Sequence, residues 1–331
     1  MRFKIWGTRG SLPAPLSPND LTERCRQLLQ GFFESGFPSA EQVQKYLDGV
    51  ARHRLGGFGG NTPCLEVISD TQRLIIDAGT GIRQLGYELL QGPCGKGTGE
   101  VHLFFTHFHW DHVMGLPFFT PLFVPGNKIH VYSVQPDLPN VFKTVFRKPY
   151  FPVELENLSG KIEYHQLKPR EPFVLGDITL TPYQLDHPDP CWGYKIQTGG
   201  KTVSYCVDTE GTRASREKLG PDLPLYQDVD VMIFDAQYTL TETLEKINWG
   251  HAAASIGLDI ALRERIPRVV FMHHDPASSD EKVAMAEAEA RRYYKSQIKA
   301  LSEAAKKDRK NEQSLHEVSW LFAYEGQIFD V

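Results

Sequence analysis

The chain has 331 residues, 41 % hydrophobic and 23 % charged, with a formal net charge of −5. Those values describe an ordinary globular protein with ample material for a core, and the mild acidity gives no whole-protein case for nucleic-acid binding. No apolar run reaches about 18 residues, so no membrane-spanning helix is expected. Five scattered cysteines with no C-x-x-C pair exclude a disulfide framework or structural zinc finger, and a cytoplasmic location fits.

The opening MRFKIWGTRGS lacks an apolar h-region, so no secretory leader is expected; it reads as a strand ending in a Gly turn. From about residue 14 to 55 the pattern changes. Leu21, Cys25, Leu28, Leu29 and Phe32 fall at helical spacing. After a Gly-Phe-Pro break, Val43, Tyr46, Leu47 and Val50 continue it. Ser39 and Gln42 fit a capping box. The expectation is a helical hairpin inserted after the first strand, its apolar stripe packed on the core.

Short apolar runs then alternate with helical stretches: LEVI, RLIID, VHLFFTH, KIHVYSV, ITLTPYQLDH, TVSYCVD, DVMIFDA and RVVFMHH. Several are apolar throughout, as strands covered on both faces are, which predicts a layered α/β architecture. Ala252 to Arg265 reads as a helix stopping before Pro267. A long charged helix follows, with Ser278 and Glu281 at its start, and SWLFAYEGQIFDV reads as a final strand or hairpin.

The run VHLFF breaks into THFHWDHVMG. Three of the chain's 12 histidines, His107, His109 and His112, fall here within six positions, with Asp111 among them. Imidazole nitrogens beside a carboxylate suit Zn, and also Fe or Mn. On extended chain His107 and His109 face the same way and reach one ion; Asp111 and His112 follow as the chain turns and reach a second. One loop cannot fill two sites. Other strand ends offer His187, Asp208, and the adjacent His273 and His274, at the carboxyl ends where α/β sheets build their sites.

The motif THFHWDHVMGLP resembles the signature of the metallo-β-lactamase superfamily. Further matching segments are GTRGS (7–11), GGNTPCLEV (59–67), LIIDAGTGIRQLG (74–86), DHPDPCWGYKI (186–196), YCVDTEG (205–211), WGHAAA (249–254) and FMHHDP (271–276). Gly115-Leu116-Pro117 places the likeness in the phosphodiesterase-like branch, with the tRNase Z-type nucleases and the phosphoribosyl cyclic phosphate phosphodiesterases. The resemblance implies a four-layer αβ/βα sandwich, here one hydrolase domain over 1–331 carrying the 14–55 insertion.

It also implies two divalent ions, Zn with Mn or Fe as alternatives. The first would be held by His107, His109 and His187, and the second by Asp111, His112 and His273, with Asp208 bridging. His273 aligns with the last family ligand, although the doubled histidine leaves His274 as an alternative. Asp77 would orient the metal loop, with Gly79 and Gly81 letting backbone approach closely. Asp111, Asp208 and His251 are the catalytic candidates, His251 as general acid.

The activity implied is hydrolysis of small or cyclic phosphodiesters by a metal-bridging hydroxide. Alternatives are a thioester, lactone or lactam hydrolase on the same site, or a non-catalytic chaperone-like relative. Arg147 and Lys148 are candidates for phosphate contact, and Arg9, Arg52, His53 and Arg54 for facing an anionic substrate. The expected partner is a small phosphodiester, with no membrane and no strong nucleic-acid signal; a homodimer is left open.

Overall fold

The computed structural model describes residues 1–36, 39–307 and 316–331. Phe37 and Pro38 of the expected break, and 308–312 of the expected charged helix, lie outside the described residues.

Two seven-stranded sheets face each other. In sheet one, β1 (Arg2–Gly7), β2 (Cys64–Ile68), β3 (Arg73–Ile76), β4 (Glu100–Phe104), β5 (Lys128–Ser133) and β6 (Lys161–Gln166) lie side by side in chain order. In sheet two the same holds for β7 (Phe173–Leu175), β8 (Ile178–Gln184), β9 (Trp192–Thr198), β10 (Lys201–Cys206), β11 (Val231–Asp235), β12 (Arg268–Met272) and β13 (Ser319–Phe322). The chain then crosses back, and β14 (Ile328–Asp330) pairs antiparallel with β1. The closing segment is therefore no hairpin. Glu325 and Gly326 carry it from one sheet to the other, tied by Glu325 N–H to Phe58 O and Gly326 N–H to Ile5 O.

Most of the strands buried at nearly every position have a parallel neighbour, as β3, β4, β10, β11 and β12 do. β3 to β6 run parallel, as do β10 to β13. VMIFD of β11 is buried at every position because helices cover one face and the opposite sheet the other.

The helices are α1 (Pro18–Glu34), α2 (Val43–Asp48), α3 (Arg52–Leu55), α4 (Ile82–Leu89), α5 (Trp110–Val113), α6 (Leu138–Val145), α7 (Arg216–Leu219), α8 (Leu240–Glu245), α9 (Ala254–Glu264) and α10 (Asp280–Lys307). Three apolar layers result. One lies between the sheets, with Phe3, Ile76, Phe104, Tyr194 and Ile233. A second joins sheet one to α4 and α6 through Leu85, Leu103 and Phe142. The third joins sheet two to α9 and α10 through Phe234, Leu258, Phe271 and Ala290. Helices, sheet, sheet, helices is the four-layer sandwich expected from the sequence.

The insert departs from expectation. Leu21, Leu29 and Phe33 of α1 are exposed, Phe33 by 71 %. What α1 buries is Arg24, whose guanidinium meets Asp280 Oδ2 at 2.8 Å. The capping box sits at Ser17 and Asp20; Ser39 makes no side-chain cap. Pro18 at the first helical position and the Ser17–Asp20 reciprocal bonds start α1 earlier than the apolar pattern suggested. At α10 the residue bonding the third helical N–H, that of Lys282, is Ser279 rather than Ser278.

Candidate metal centre

The parallel strands end at one rim. β10, β11 and β12 are paired in register, Cys206 beside Phe234 and Asp235 beside Met272. Asp208, Asp235 and His273 thus emerge next to one another. From the facing sheet, β3 delivers Asp77 beside β4, whose end runs on into His107, His109, Asp111 and His112. The β8–β9 loop adds His187. Asp77, Asp208 and His273 all have left-handed backbone, with φ of 63°, 64° and 67°. Non-glycine residues adopt that region only under the constraint of their surroundings, and strain of this kind collects at functional sites.

At this rim the ligand-type atoms form three overlapping sets, each with all atoms within 4.8 Å of one another. One is His107, His109, His187 and Asp208; the second is Asp111, His112, Asp208 and His273; the third is Asp208, Asp235, His251 and His273. Asp208 belongs to all three. Its Oδ2 lies 3.5 Å from His107 Nε2, and its Oδ1 lies 3.3 Å from His112 Nε2 and 3.1 Å from His273 Nε2. Asp111 Oδ2 is 3.3 Å from His112 Nε2 and 3.2 Å from His273 Nε2.

Buried polar atoms without partners are rare because each costs free energy. Here His107 Nε2, His112 Nε2, His187 Nε2 and Asp208 Oδ1 are buried and make no hydrogen bond. Four carboxylates, Asp77, Asp111, Asp208 and Asp235, are buried around them. Burial, together with neighbouring His112, holds His107 well below the usual imidazole pKa, and burial lowers His187 too, so both favour the neutral form that ligates. At His112 burial opposes the charge, but Asp208, Asp111 and Asp77 outweigh it and hold its pKa well above the ordinary value. Unpaired ring nitrogens gathered among four buried carboxylates fit divalent cations.

Outer contacts fix the rings. Asp77 Oδ2 meets His112 Nδ1 at 2.9 Å, while its Oδ1 accepts from the N–H and hydroxyl of Thr106. His109 Nε2 pairs with Asp189 at 2.9 Å, so Nδ1 is the nitrogen left to ligate. Ser11 N–H donates to Asp111 Oδ2 at 2.8 Å, which gives the GTRGS turn a role at the site. A Cβ on Gly79 would lie 2.4 Å from the carbonyl oxygen of Asp111, as the expected close approach requires. Gly250, with φ of +83°, leaves no room for a Cβ beside His187.

Asp235 is the residue the sequence reading passed over. Its Oδ2 lies 3.0 Å from His251 Nδ1 and 3.5 Å from His273 Nδ1, and its Oδ1 accepts from Ala252 and Gln237 N–H. It closes DVMIFDA at a strand end as Asp208 closes YCVD, and that pattern was the available signal. His251 is 7 % exposed; its ring stacks on His273 with centroids 4.9 Å apart and lies 6.3 Å from that of His187.

Other candidates lie elsewhere. His274 turns away: its Nε2 donates to Ala323 O at 2.9 Å, its ring stacks on Phe322, and burial pushes its pKa down to about 3. Arg9 neither faces solvent nor reaches the centre. It is 3 % exposed and donates to Gly59 O, Asp275 O and Ser278 O, with Asp280 Oδ1 at 2.9 Å. Arg52 lies over Tyr324. Arg147 is exposed with its guanidinium against Tyr150, and Lys148 pairs loosely with Glu154. The structure does not bring Arg147 or Lys148 into the histidine cluster.

The beta-lactamase superfamily domain matches residues 72–274, the span that runs from β3 to His274. Ribonuclease Z of Staphylococcus carnosus is 28 % identical over 168 residues, 49 % of this chain and 50 % of that protein, so the chain spans about half the length of this curated relative. Among solved structures, the metallo-β-lactamase fold protein YhfI of Bacillus subtilis is 15 % identical with a TM-score of 0.59, covering 99 % of this chain and 98 % of that one. A diphosphatase of the PhnP family is 16 % identical with a TM-score of 0.57, covering 100 % and 97 %. Likeness at that identity concerns the fold, and it agrees with the layers above. The chain belongs to the beta-lactamase superfamily and has the metallo-β-lactamase fold.

Proposed function

We propose that this chain is a binuclear metal-dependent hydrolase of small or cyclic phosphodiesters. The observation carrying the reading is Asp208, one carboxylate common to the set with His107, His109 and His187 and the set with Asp111, His112 and His273. His107, His109 and His187 would hold one ion, and Asp111, His112 and His273 the other, with Asp208 between them. Zn suits this donor set, as do Mn and Fe. A ribonuclease among the relatives supports phosphodiester chemistry.

When bound, a pair of divalent ions lowers the pKa of a water and offsets charge on phosphoryl oxygens. The chain's own residues supply the remainder. Asp235 holds His251 by Nδ1, so Nε2 is the nitrogen that meets the leaving group. A water that has released one proton to solvent attacks as hydroxide; as its oxygen forms the bond to phosphorus and the ester P–O bond breaks, His251 Nε2 gives its proton to the departing alkoxide. The Asp235 carboxylate fixes the orientation of the His251 ring through its bond to Nδ1. Asp77 and Asp189 keep His112 and His109 in one tautomer throughout.

The test combines metal analysis with turnover of bis(p-nitrophenyl) phosphate, 2′,3′- and 3′,5′-cyclic nucleotides, a precursor tRNA, a thioester, a lactone and a chromogenic lactam. Two divalent ions per centre and turnover of the small phosphodiesters are expected. Turnover confined to carbonyl substrates overturns the reading. His251→Ala is expected to lower turnover by about 10²–10⁴-fold with metal content intact; unchanged turnover removes His251 from the mechanism.

A further inference from the structure

Away from the centre, sheet one carries a second gathering of histidines. His102, His130 and Glu163 are register partners across β4, β5 and β6, and His165 lies beside Tyr132 one step further along. His102 precedes His107 by five residues, roughly 16 Å of extended strand. The rings of His102 and His130 stack at 4.9 Å, and those of Tyr132 and His165 at 4.6 Å.

Two arrangements satisfy this cluster: a His130 imidazolium that donates from Nε2 to Glu100 and from Nδ1 to Glu163, or a neutral His130 with a cation in place of the second proton. His130 Nε2 lies 2.8 Å from Glu100 Oε1, and a carboxylate calls for a donor, so the ring proton belongs on Nε2. In the neutral ring Nδ1 then presents its lone pair. It faces His165 Nε2 at 3.1 Å and Glu163 Oε2 at 3.4 Å. A proton on His165 Nε2 answers the first approach. The second, where the neutral ring's lone pair would meet a carboxylate, takes either a further proton on Nδ1 or a cation. Lys161 Nζ occupies the other oxygen, Glu163 Oε1, at 2.6 Å, and leaves Oε2 turned to the histidine.

The spacing is that of a coordination shell. Ligands 2.0–2.1 Å from a tetrahedral zinc stand about 3.3–3.4 Å apart. The two separations from His130 Nδ1 fall close to that edge, and the ligand-type atoms of His130, Glu163 and His165 all lie within 4.8 Å of one another. Burial lowers the pKa of His165, which favours its neutral, ligating form.

We propose that His130, His165 and Glu163 form a further metal site for one zinc-class divalent ion, with Glu100 orienting His130 from behind and water completing the coordination. The hydrogen bond to the far nitrogen is the usual support of a metal-bound histidine. The ion would pin β6, the edge strand of sheet one, to β5. An exposed row of unpaired backbone groups makes a sheet edge the place where such a clamp has most effect.

The experiment counts zinc in the full chain. Wild type and His165→Gln, both equilibrated in the same zinc-buffered solution and freed of excess, are measured by plasma mass spectrometry. The variant is expected to hold one zinc fewer per chain while keeping wild-type turnover, because the catalytic candidates are untouched. Glu163→Gln is expected to weaken the same site by at least tenfold in zinc affinity. Equal zinc counts in folded wild type and variants overturn the proposal. Should His165→Gln misfold, anomalous diffraction at the zinc edge on wild-type crystals decides: a peak between the three side chains supports the site, and its absence from zinc-saturated crystals overturns it.

Discussion

His273 and His274 are neighbours whose side chains point to opposite sides of the chain. His273 Nε2 lies 3.1 Å from Asp208 and 3.2 Å from Asp111; His274 Nε2 donates to a backbone carbonyl. The left-handed φ at His273 sets this divergence, and no repeat in the sequence announces it. His273→Ala is therefore expected to lose metal and turnover together. His274→Ala should retain the metal and lower the melting temperature, since its ring fills space between Phe58 and Phe322. Metal analysis and calorimetry of the pair check this, and a metal-free His274→Ala would reverse the assignment. Asp235 gives a separate prediction. It touches both His251 and His273, so Asp235→Asn should cost about 10–100-fold in turnover or metal affinity, as loss of an orienting carboxylate does. Steady-state kinetics alongside metal titration would show it.

The strands were readable from the sequence because parallel, doubly covered strands are buried at nearly every position and carry apolar runs, and β4, β10, β11 and β12 are of this kind. The insert was not readable in the same way. Its leucines and phenylalanines carry helical spacing, yet α1 is held by charge: Asp280 at the start of α10 accepts from Arg24, from Arg9 and from the N–H of Phe58. Asp280 is 5 % exposed. Asp280→Ala would strand two buried guanidinium groups, and removing one partner of a buried pair typically destabilises by about 3–5 kcal/mol. Arg24→Leu should cost less, because Asp280 keeps Arg9. Denaturant unfolding of the two variants tests the order, and equal midpoints would place the anchoring of α1 elsewhere.

Across the whole molecule, the turn after β2 is tied to sheet two by Asp177, which accepts from the hydroxyls of Ser69, Thr71 and Thr198. Those bonds, led by the one from Ser69, pull the Asp177 pKa down to about 2. A folded pKa below the ordinary carboxylate value means the unfolded chain binds the extra proton. The stabilisation is present above about pH 4 and is lost as pH falls through 2. Asp177→Asn should unfold at lower denaturant than wild type at pH 5, with the gap closing toward pH 2. A gap independent of pH would mean that shape, not charge, makes the link.

No described helix is long and apolar enough to cross a membrane. The sequence by itself determined the layered fold and the residue types of the centre, because apolar runs mark covered strands and a dense His-Asp loop has few uses outside metal binding. The tertiary structure alone decided which residues meet. Register across β10, β11 and β12 set Asp235 beside Asp208 and His273, and left-handed backbone turned one of two identical histidines inward. The fold also drew Arg9 into an ion pair 271 residues away in the chain. Such convergence depends on strand order and backbone direction, which spacing along one chain does not encode.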